Sequence, residues 1–223
     1  MKAIIPVKKS SIRVENKNFK PFYKEQSLFD IKVNSLLKTI DKSDIYVSGE
    51  SEEIKKIAEK YELNFLIRDQ YYAKNETPMA EVITHLVNRL PDDDDVMWVQ
   101  VTEPFFEDFS DCLEKWENVK ENHDSLVVVK PFQSYMLNGN GEPINFGFGV
   151  WHKFSQILPK WYLLPFSLQI IKRETVKKCS YYIGTKPYLY EFNNITFDID
   201  SEEDFEQAKA IYKVVKEFKP TSK

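Results

Sequence analysis

With 223 residues, 42% hydrophobic and 30% charged, the chain is long enough for one sizeable core, too apolar to be disordered and too polar to live in a bilayer. Thirty-one basic residues against thirty-five acidic ones leave a net charge of −4, which argues against nucleic acid as a partner and makes any phosphate site a local one. The two cysteines, Cys112 and Cys179, stand outside any CxxC spacing, and the opening MKAIIPVKK has too short an apolar run for a signal core or a span. Neither disulfides, zinc, export nor membrane contact is expected, and a cytoplasmic setting fits.

In chain order, Lys2 to Pro6 reads as a short buried strand, and the polar stretch Val7 to Lys20 as a long loop. Phe29, Val33, Leu36, Leu37 and Ile40 recur at helical spacing before the polar Asp41 to Ser43. The unit repeats, with Ile45 to Ser48 as a strand and Ile54, Ile57, Ala58 and Tyr61 as a helical stripe capped by Ser51. Leu63 to Ile67 reads as the next strand. A helix over Met79 to Leu90 follows a polar loop, with Thr77 as its cap and Pro78 at its first position. Val96 to Thr102 is strand-like, Phe109 to Val119 helical, and Ser125 to Lys130 strand-like again.

Strands alternating with helices predict an α/β fold with a mainly parallel sheet covered on both faces. After Pro131 the pattern dissolves into Gly, Asn and aromatic residues until about Pro187, read as an excursion from the sheet within a single domain over 1–223. Tyr188 to Phe197 is strand-like. Ser201 and Asp204 then form a capping box opening a terminal helix that carries Phe205, Ala208, Tyr212, Val215 and Phe218.

Ligands of open parallel sheets bind beyond the carboxyl ends of the strands, where loops and helix amino termini converge. Five polar segments follow predicted strands: Val7 to Asn18, Ser48 to Ser51, Arg68 to Thr77, Gln100 to Pro104, and Asp198 to Asp200. The first gathers Lys8, Lys9, Arg13 and Lys17 with Ser10, Ser11, Asn16 and Asn18 in an otherwise acidic chain, which suits a triphosphate; a solvated basic loop is the bland alternative. No GxxxxGKT or GxGxxG is present. Asp198 and Asp200 have one residue between them and share a face if extended. Two such carboxylates suit Mg²⁺ shared with substrate phosphates, and the helix dipole explains them less well than it explains Ser201 to Asp204.

Gln100 and Thr102 end a buried strand where an amide and a hydroxyl would orient a polar substrate, or merely lead into the turn before Pro104. Arg68 either reaches a nucleotide or pairs with a neighbour such as Asp69 or Glu76. His152, near Gln156, either meets an acidic group of a substrate or lies at a surface or interface. No HxxxH, Cys/His cluster or GxSxG supports zinc or serine chemistry, and Asp92 to Asp95 reads as a solvated loop. The density of Trp151, Trp161 and Tyr162 in the excursion suggests a subunit interface, with a ring stacked on a sugar as the second reading.

Taken together, these motifs resemble one family. IIPVKKSSIRVENKNF is similar to the IPARxGSKRIPxKN signature of the CMP-sialic acid synthetase (acylneuraminate cytidylyltransferase) family, which includes the CMP-KDO synthetases. YVSGESEEIKKIAEKY resembles its VSTDSEEI segment, VQVTEP its LQPTSP, and ITFDIDSEEDFEQA its closing DIDTEEDF, all in the same order. The resemblance implies a Rossmann-like three-layer nucleotidyltransferase fold, with 131–187 serving dimerisation and acceptor binding in a homodimer. It implies Mg²⁺-dependent transfer of CMP from CTP to an acidic sugar, with release of pyrophosphate, for surface polysaccharide or glycoconjugate synthesis.

Carried over residue by residue, Lys8 stands at the family's loop arginine, preceded by Pro6 and Val7, and Ser11, Arg13, Lys17 and Asn18 match the nucleotide-binding loop. Arg68 resembles a nucleotide-contacting arginine, Gln100 matches the substrate-facing glutamine beside Thr102, and Asp198 and Asp200 match the metal pair. The implied catalytic set is Lys8, Arg13, Lys17, Asp198 and Asp200, with His152 and Gln156 on the acceptor side. Lys9 and Ser10 replace glycines of the loop, Ile12 a lysine and Glu15 a proline. HKFSQILPKWYLLPF resembles the family's RRQDLPxxYxxNG, yet Ser155 stands where an arginine associated with the sialic acid is expected. A phosphonate or phosphorylated acceptor is therefore an alternative, as are a glycosyltransferase with a DxD pair and a noncatalytic nucleotide-binding module.

Overall fold

In the computed structural model, which describes residues 1–9 and 13–218, the first apolar run forms strand β1 (Lys2–Pro6), with Ala3, Ile4 and Ile5 fully buried. The loop after it folds back into a small antiparallel hairpin, β2 (Pro21–Tyr23) and β3 (Gln26–Ser27), whose turn residues Lys24 and Glu25 both have positive φ. Helix α1 (Leu28–Leu36) opens on a reciprocal capping box between Ser27 and Asp30. Strand β4 (Ile45–Gly49) and helix α2 (Glu52–Lys60) follow, the Ser51 hydroxyl accepting the Ile54 amide as the cap.

After β5 (Asn64–Ile67) come a single turn, α3 (Gln70–Ala73), and helix α4 (Met79–Asn88). Pro78 rather than Thr77 occupies the cap position of α4, and the Thr77 hydroxyl donates instead to the Tyr71 carbonyl. Strand β6 (Val96–Val99), helix α5 (Phe109–Val119) and strand β7 (Ser125–Phe132) complete the first half. Beyond them lie β8 (Trp161–Leu163), β9 (Leu168–Ile171), α6 (Arg173–Cys179), β10 (Pro187–Glu191) and α7 (Glu202–Glu217), whose Ser201 and Asp204 form the expected capping box.

The central sheet runs β10-β7-β9-β6-β1-β4-β5, with β8 paired to the end of β7. All neighbours on this path are parallel except β9, which is antiparallel to both β6 and β7. This is the mainly parallel α/β, Rossmann-like architecture expected. The segment 131–187 does not leave the sheet entirely, however, because Leu168–Ile171 sits at its centre. All four of its residues are buried, so a short strand hidden in an aromatic-rich stretch joins the two halves. The last strand also ends at Glu191 rather than Phe197, and 192–200 runs on as irregular chain.

Alternation along β1 shows both faces covered. Ala3 and Ile5 join a core with Phe29, Trp116, Phe205 and other residues of α1, α2, α5 and α7. Ile4 faces a second core with Ile83, Leu86, Trp98 and Val176 beneath α4 and α6. Each fully buried aliphatic or aromatic side chain contributes about 1.5–3 kcal/mol, so these two layers are the main stabilising force. No helix among the described residues is long and apolar enough to cross a membrane.

Candidate active site

Strand order reverses between β1 and β6, and a cavity of about 590 Å³ opens beyond their carboxyl ends. Pro6, Lys8, Arg13, Lys17 and Asn18 enter it from the loop after β1, Arg68 from the end of β5, and Gln100 and Thr102 from the end of β6. Eight residues singled out in the sequence thus meet around one space. Ser11 lies outside the described residues. Val7 is buried beside the cavity, its amide donating to the Ser48 carbonyl at 2.9 Å and its own carbonyl accepting from Arg68.

Each polar group in the loop has an identifiable hold. The Asn18 amide donates to the Lys8 carbonyl at 3.0 Å, which closes the loop on itself, and its buried Oδ1 has no hydrogen-bond partner among the described residues. The Lys8 ammonium reaches across the cavity to the Lys74 carbonyl at 3.3 Å and Asn75 Oδ1 at 3.4 Å. Burial and the neighbouring Arg68 hold it below the usual lysine range. The nearly buried Arg68 spans the ends of two strands, donating to the carbonyls of Val7 and Ser48, with Glu50 3.9 Å away. Its guanidinium therefore braces the cavity floor, and neither Asp69 nor Glu76 is its ion partner.

The irregular segment after β10 brings the acidic pair to the same place. Ile199 is fully buried, and its amide donates to the Thr102 carbonyl at 3.0 Å, which leaves Asp198 and Asp200 on the outer side of the chain. Arg13 meets Asp200 Oδ1 at 2.8 Å, and the buried Lys17 donates to the Ile199 carbonyl with its ammonium 3.6 Å from Asp200. Burial pushes the Lys17 ammonium down, against the pull of Asp200 and Asp198. Crowding by protein pushes the Asp198 carboxyl up, aided by Asp200 and opposed by the Thr102 hydroxyl, Lys17 and Arg13.

Among the described residues no group of three or more His, Cys, Asp or Glu side chains is placed to hold a metal unaided. The Asp198 and Asp200 carboxylates are hard oxygen donors whose mutual repulsion a divalent cation would relieve. They fit an ion that takes its remaining ligands from substrate phosphates and water.

His152 and Gln156 do not line this cavity. The exposed His152 ring stacks on Tyr135 at 5.1 Å with its Nε2 3.2 Å from the phenol oxygen, and the Gln156 carbonyl accepts from the Gln133 amide at 3.2 Å. The cavity instead takes Tyr72, Lys74, Asn75, Thr77, Met79, Val82, Trp98 and Val101. Tyr72, Lys74, Asn75 and Thr77 lie in the polar segment after the third predicted strand, a signal for the loop but not for the individual side chains.

A sequence model described as Cytidylyltransferase matches residues 2–144, which hold every cavity-lining residue. The chain belongs to the cytidylyltransferase family. It is accordingly a nucleotidyltransferase enzyme that uses CTP. No curated protein matches this cytidylyltransferase. Among solved structures, a CMP:2-keto-3-deoxy-manno-octonic acid synthetase complexed with CTP superposes with a TM-score of 0.70 at 9% identity, covering 97% of this chain and 99% of the other. A 4-diphosphocytidyl-2C-methyl-D-erythritol synthase from Anaerococcus prevotii DSM 20548 reaches 0.63 at 13% identity over 95% and 97%. HddC from Yersinia pseudotuberculosis reaches 0.58 at 11% over 95% and 99%. At these identities the likeness is one of fold.

Proposed function

We propose that this cytidylyltransferase moves CMP from CTP to an acidic sugar, a sialic acid-like nonulosonic acid or KDO, and releases pyrophosphate, for surface polysaccharide or glycoconjugate synthesis. The carrying observation is one cavity that joins Lys8, Arg13 and Lys17 to Gln100 and Thr102, with Asp200 against Arg13 and Lys17 and Asp198 bonded to the Thr102 hydroxyl beside it. In the reaction the acceptor hydroxyl oxygen bonds to the α-phosphorus in line as the bond to the β-phosphate oxygen breaks. The electron pair leaves with pyrophosphate, and the hydroxyl proton is given up to solvent or to the pyrophosphate oxygens.

Lys8, Arg13 and Lys17 offset the charge gathering on that leaving group. Gln100 and Thr102, at a fixed strand end, orient the acceptor. Asp198 and Asp200 would hold Mg²⁺, which when bound supplies charge neutralisation to the triphosphate.

A phosphonate or phosphorylated acceptor is the second reading. Lys74 lines the same cavity with no anionic partner among the described residues, and Ser155 stands in place of the arginine expected for a sialic acid. A homodimer through the excursion is also proposed, because Val150, Trp151, Phe154 and Ile157 are 64–91% exposed.

The test is pyrophosphate release from each nucleoside triphosphate, with Mg²⁺, against nonulosonic acids, KDO, sugar phosphates and phosphonates. Release confined to CTP with an acidic sugar is the expected result, and release only with a phosphorylated or phosphonate acceptor would favour the second reading. Turnover with neutral sugars alone would overturn both.

A further inference from the structure

Glu103 is a fully buried carboxylate immediately after Thr102, the last residue of this turn to line the cavity, and does not line the cavity itself. Its two oxygens are spent on different segments. Oε2 accepts the Phe106 amide of its own turn at 2.8 Å, with the Phe105 amide assisting, and Oε1 accepts the Phe197 amide at 3.1 Å, 94 residues along the chain. Phe197 immediately precedes Asp198.

A second link starts from the preceding residue, Thr102. The Thr102 carbonyl accepts the Ile199 amide at 3.0 Å, and the Thr102 hydroxyl bonds to Asp198. Asp198 is thus suspended between two backbone clamps, both anchored on consecutive residues of the Thr102–Glu103 turn.

The countercharge comes from α1. Lys32 is also fully buried, donates to the Phe106 carbonyl at 2.9 Å and lies against the rings of Phe106 and Phe109. Removing two charges from water costs more than an apolar pair of the same volume would, so stability alone is a poor reason for this arrangement. A neutral glutamine at 103 in the same pose would turn its amide nitrogen toward the donors of one of the two segments and lose that link. A carboxylate, with an acceptor oxygen on each side, holds both segments at once.

We propose that Glu103, with Lys32 holding the same turn through the Phe106 carbonyl, is a positioning residue that sets the backbone of 197–199 and thereby the placement of Asp198 and Asp200 beside Arg13 and Lys17. The inference rests on the reading of those two aspartates as the acidic end of the active site. Burial pushes the Glu103 carboxyl up and the Lys32 ammonium down, while each opposes the shift of the other, as expected for opposite charges buried around one turn.

The test compares the wild type with E103Q and with the double variant K32M/E103Q. In E103Q, thermal stability and kcat at saturating CTP both fall, kcat by about tenfold or more with KM for CTP within about threefold. The double variant has no lone buried charge, so its melting temperature recovers while kcat stays low. A kcat that recovers together with the melting temperature would overturn the proposal, since Glu103 would then act through stability alone.

Amide hydrogen exchange without nucleotide gives an independent readout. Phe197 and Ile199 should be protected in the wild type and exchange faster in both variants; wild-type exchange at these amides as fast as in open loops would overturn the clamp even if neither variant folds. Full turnover of Asp198→Asn would instead defeat the reading of the acidic pair, leaving the exchange experiment to judge Glu103.

Discussion

Arg13 and Asp200 meet at 2.8 Å with side chains 67% and 49% exposed, so their attraction is screened and contributes little to folding. The pair matters for what it presents to the cavity. Arg13→Ala should leave the melting temperature nearly unchanged and weaken CTP binding about tenfold by isothermal titration, the scale of one charge-assisted contact. Unchanged affinity would contradict the loop assignment. Asp200→Ala should abolish Mg²⁺-dependent turnover with an unaltered circular dichroism spectrum, and a fully active variant would remove the metal assignment.

Lys32 gives a pH signature with a definite sign. Its folded pKa is lowered from 10.5 to about 8 by burial, with Glu103 and Glu107 opposing the shift and Lys216 adding to it. Between those values the unfolded chain holds more protons than the folded one, so the Lys32 contribution to stability improves as pH rises from about 8 to about 10.5. Melting curves across that window should show this gain in the wild type and its loss in Lys32→Met. Parallel curves would argue that the ammonium is not desolvated.

At the scale of elements, Gly49 ends β4 against the first turn of α2. A Cβ there would fall 2.7 Å from Ile54 Cγ2 and 3.0 Å from Ile54 Cβ, too near the backbone for a side-chain swing to relieve. Gly49→Ala should therefore cost about 1–3 kcal/mol in urea denaturation, the usual range for overpacking. It should also displace the Gly49 carbonyl that accepts the Arg68 amide at 2.8 Å. Ser201→Ala, which removes the cap of α7, should cost about 1 kcal/mol in the same assay.

These local devices were also the legible ones. The caps at Ser51 and Ser201, the strand over Lys2–Pro6 and the helix over Phe109–Val119 depend on residues within a few positions of one another, and the sequence pattern states them directly. Strand β9 was hidden because its four residues carry no period of their own and its partners are Val96–Val99 and Ser125–Val127 upstream. The hairpin β2–β3 falls between the loop read for its charge, Val7 to Lys20, and the helical stripe that begins at Phe29, a stretch too short to show a period of its own. In the candidate site, Lys8, Arg13, Lys17 and Gln100 could be found as polar residues after apolar strands. The bond from Phe197 to Glu103 could not, since no short-range signal spans 94 residues.

For the whole molecule, the exposed apolar residues concentrate between 148 and 164, with Val150 at 91%, Trp151 at 76% and Phe154 at 75%. A chain with this much open aromatic surface should sediment as a dimer, and Trp151→Asp with Phe154→Ser should return it to monomer mass with the far-ultraviolet spectrum intact. A wild type that is monomeric at micromolar concentration would remove the homodimer.

The central place of β9 also orders events during synthesis. While the ribosome has delivered only the first 144 residues, the stretch matched by the family, β6 and β7 both exist but the strand that lies between them does not. Each then shows an unpaired edge of backbone amides and carbonyls, flanked by Val and Leu side chains, which is the geometry that recruits foreign strands. The nascent chain is therefore most exposed to misassociation between the emergence of Phe132 and that of Ile171, and pausing or truncation in that interval should yield aggregates rather than a smaller folded enzyme.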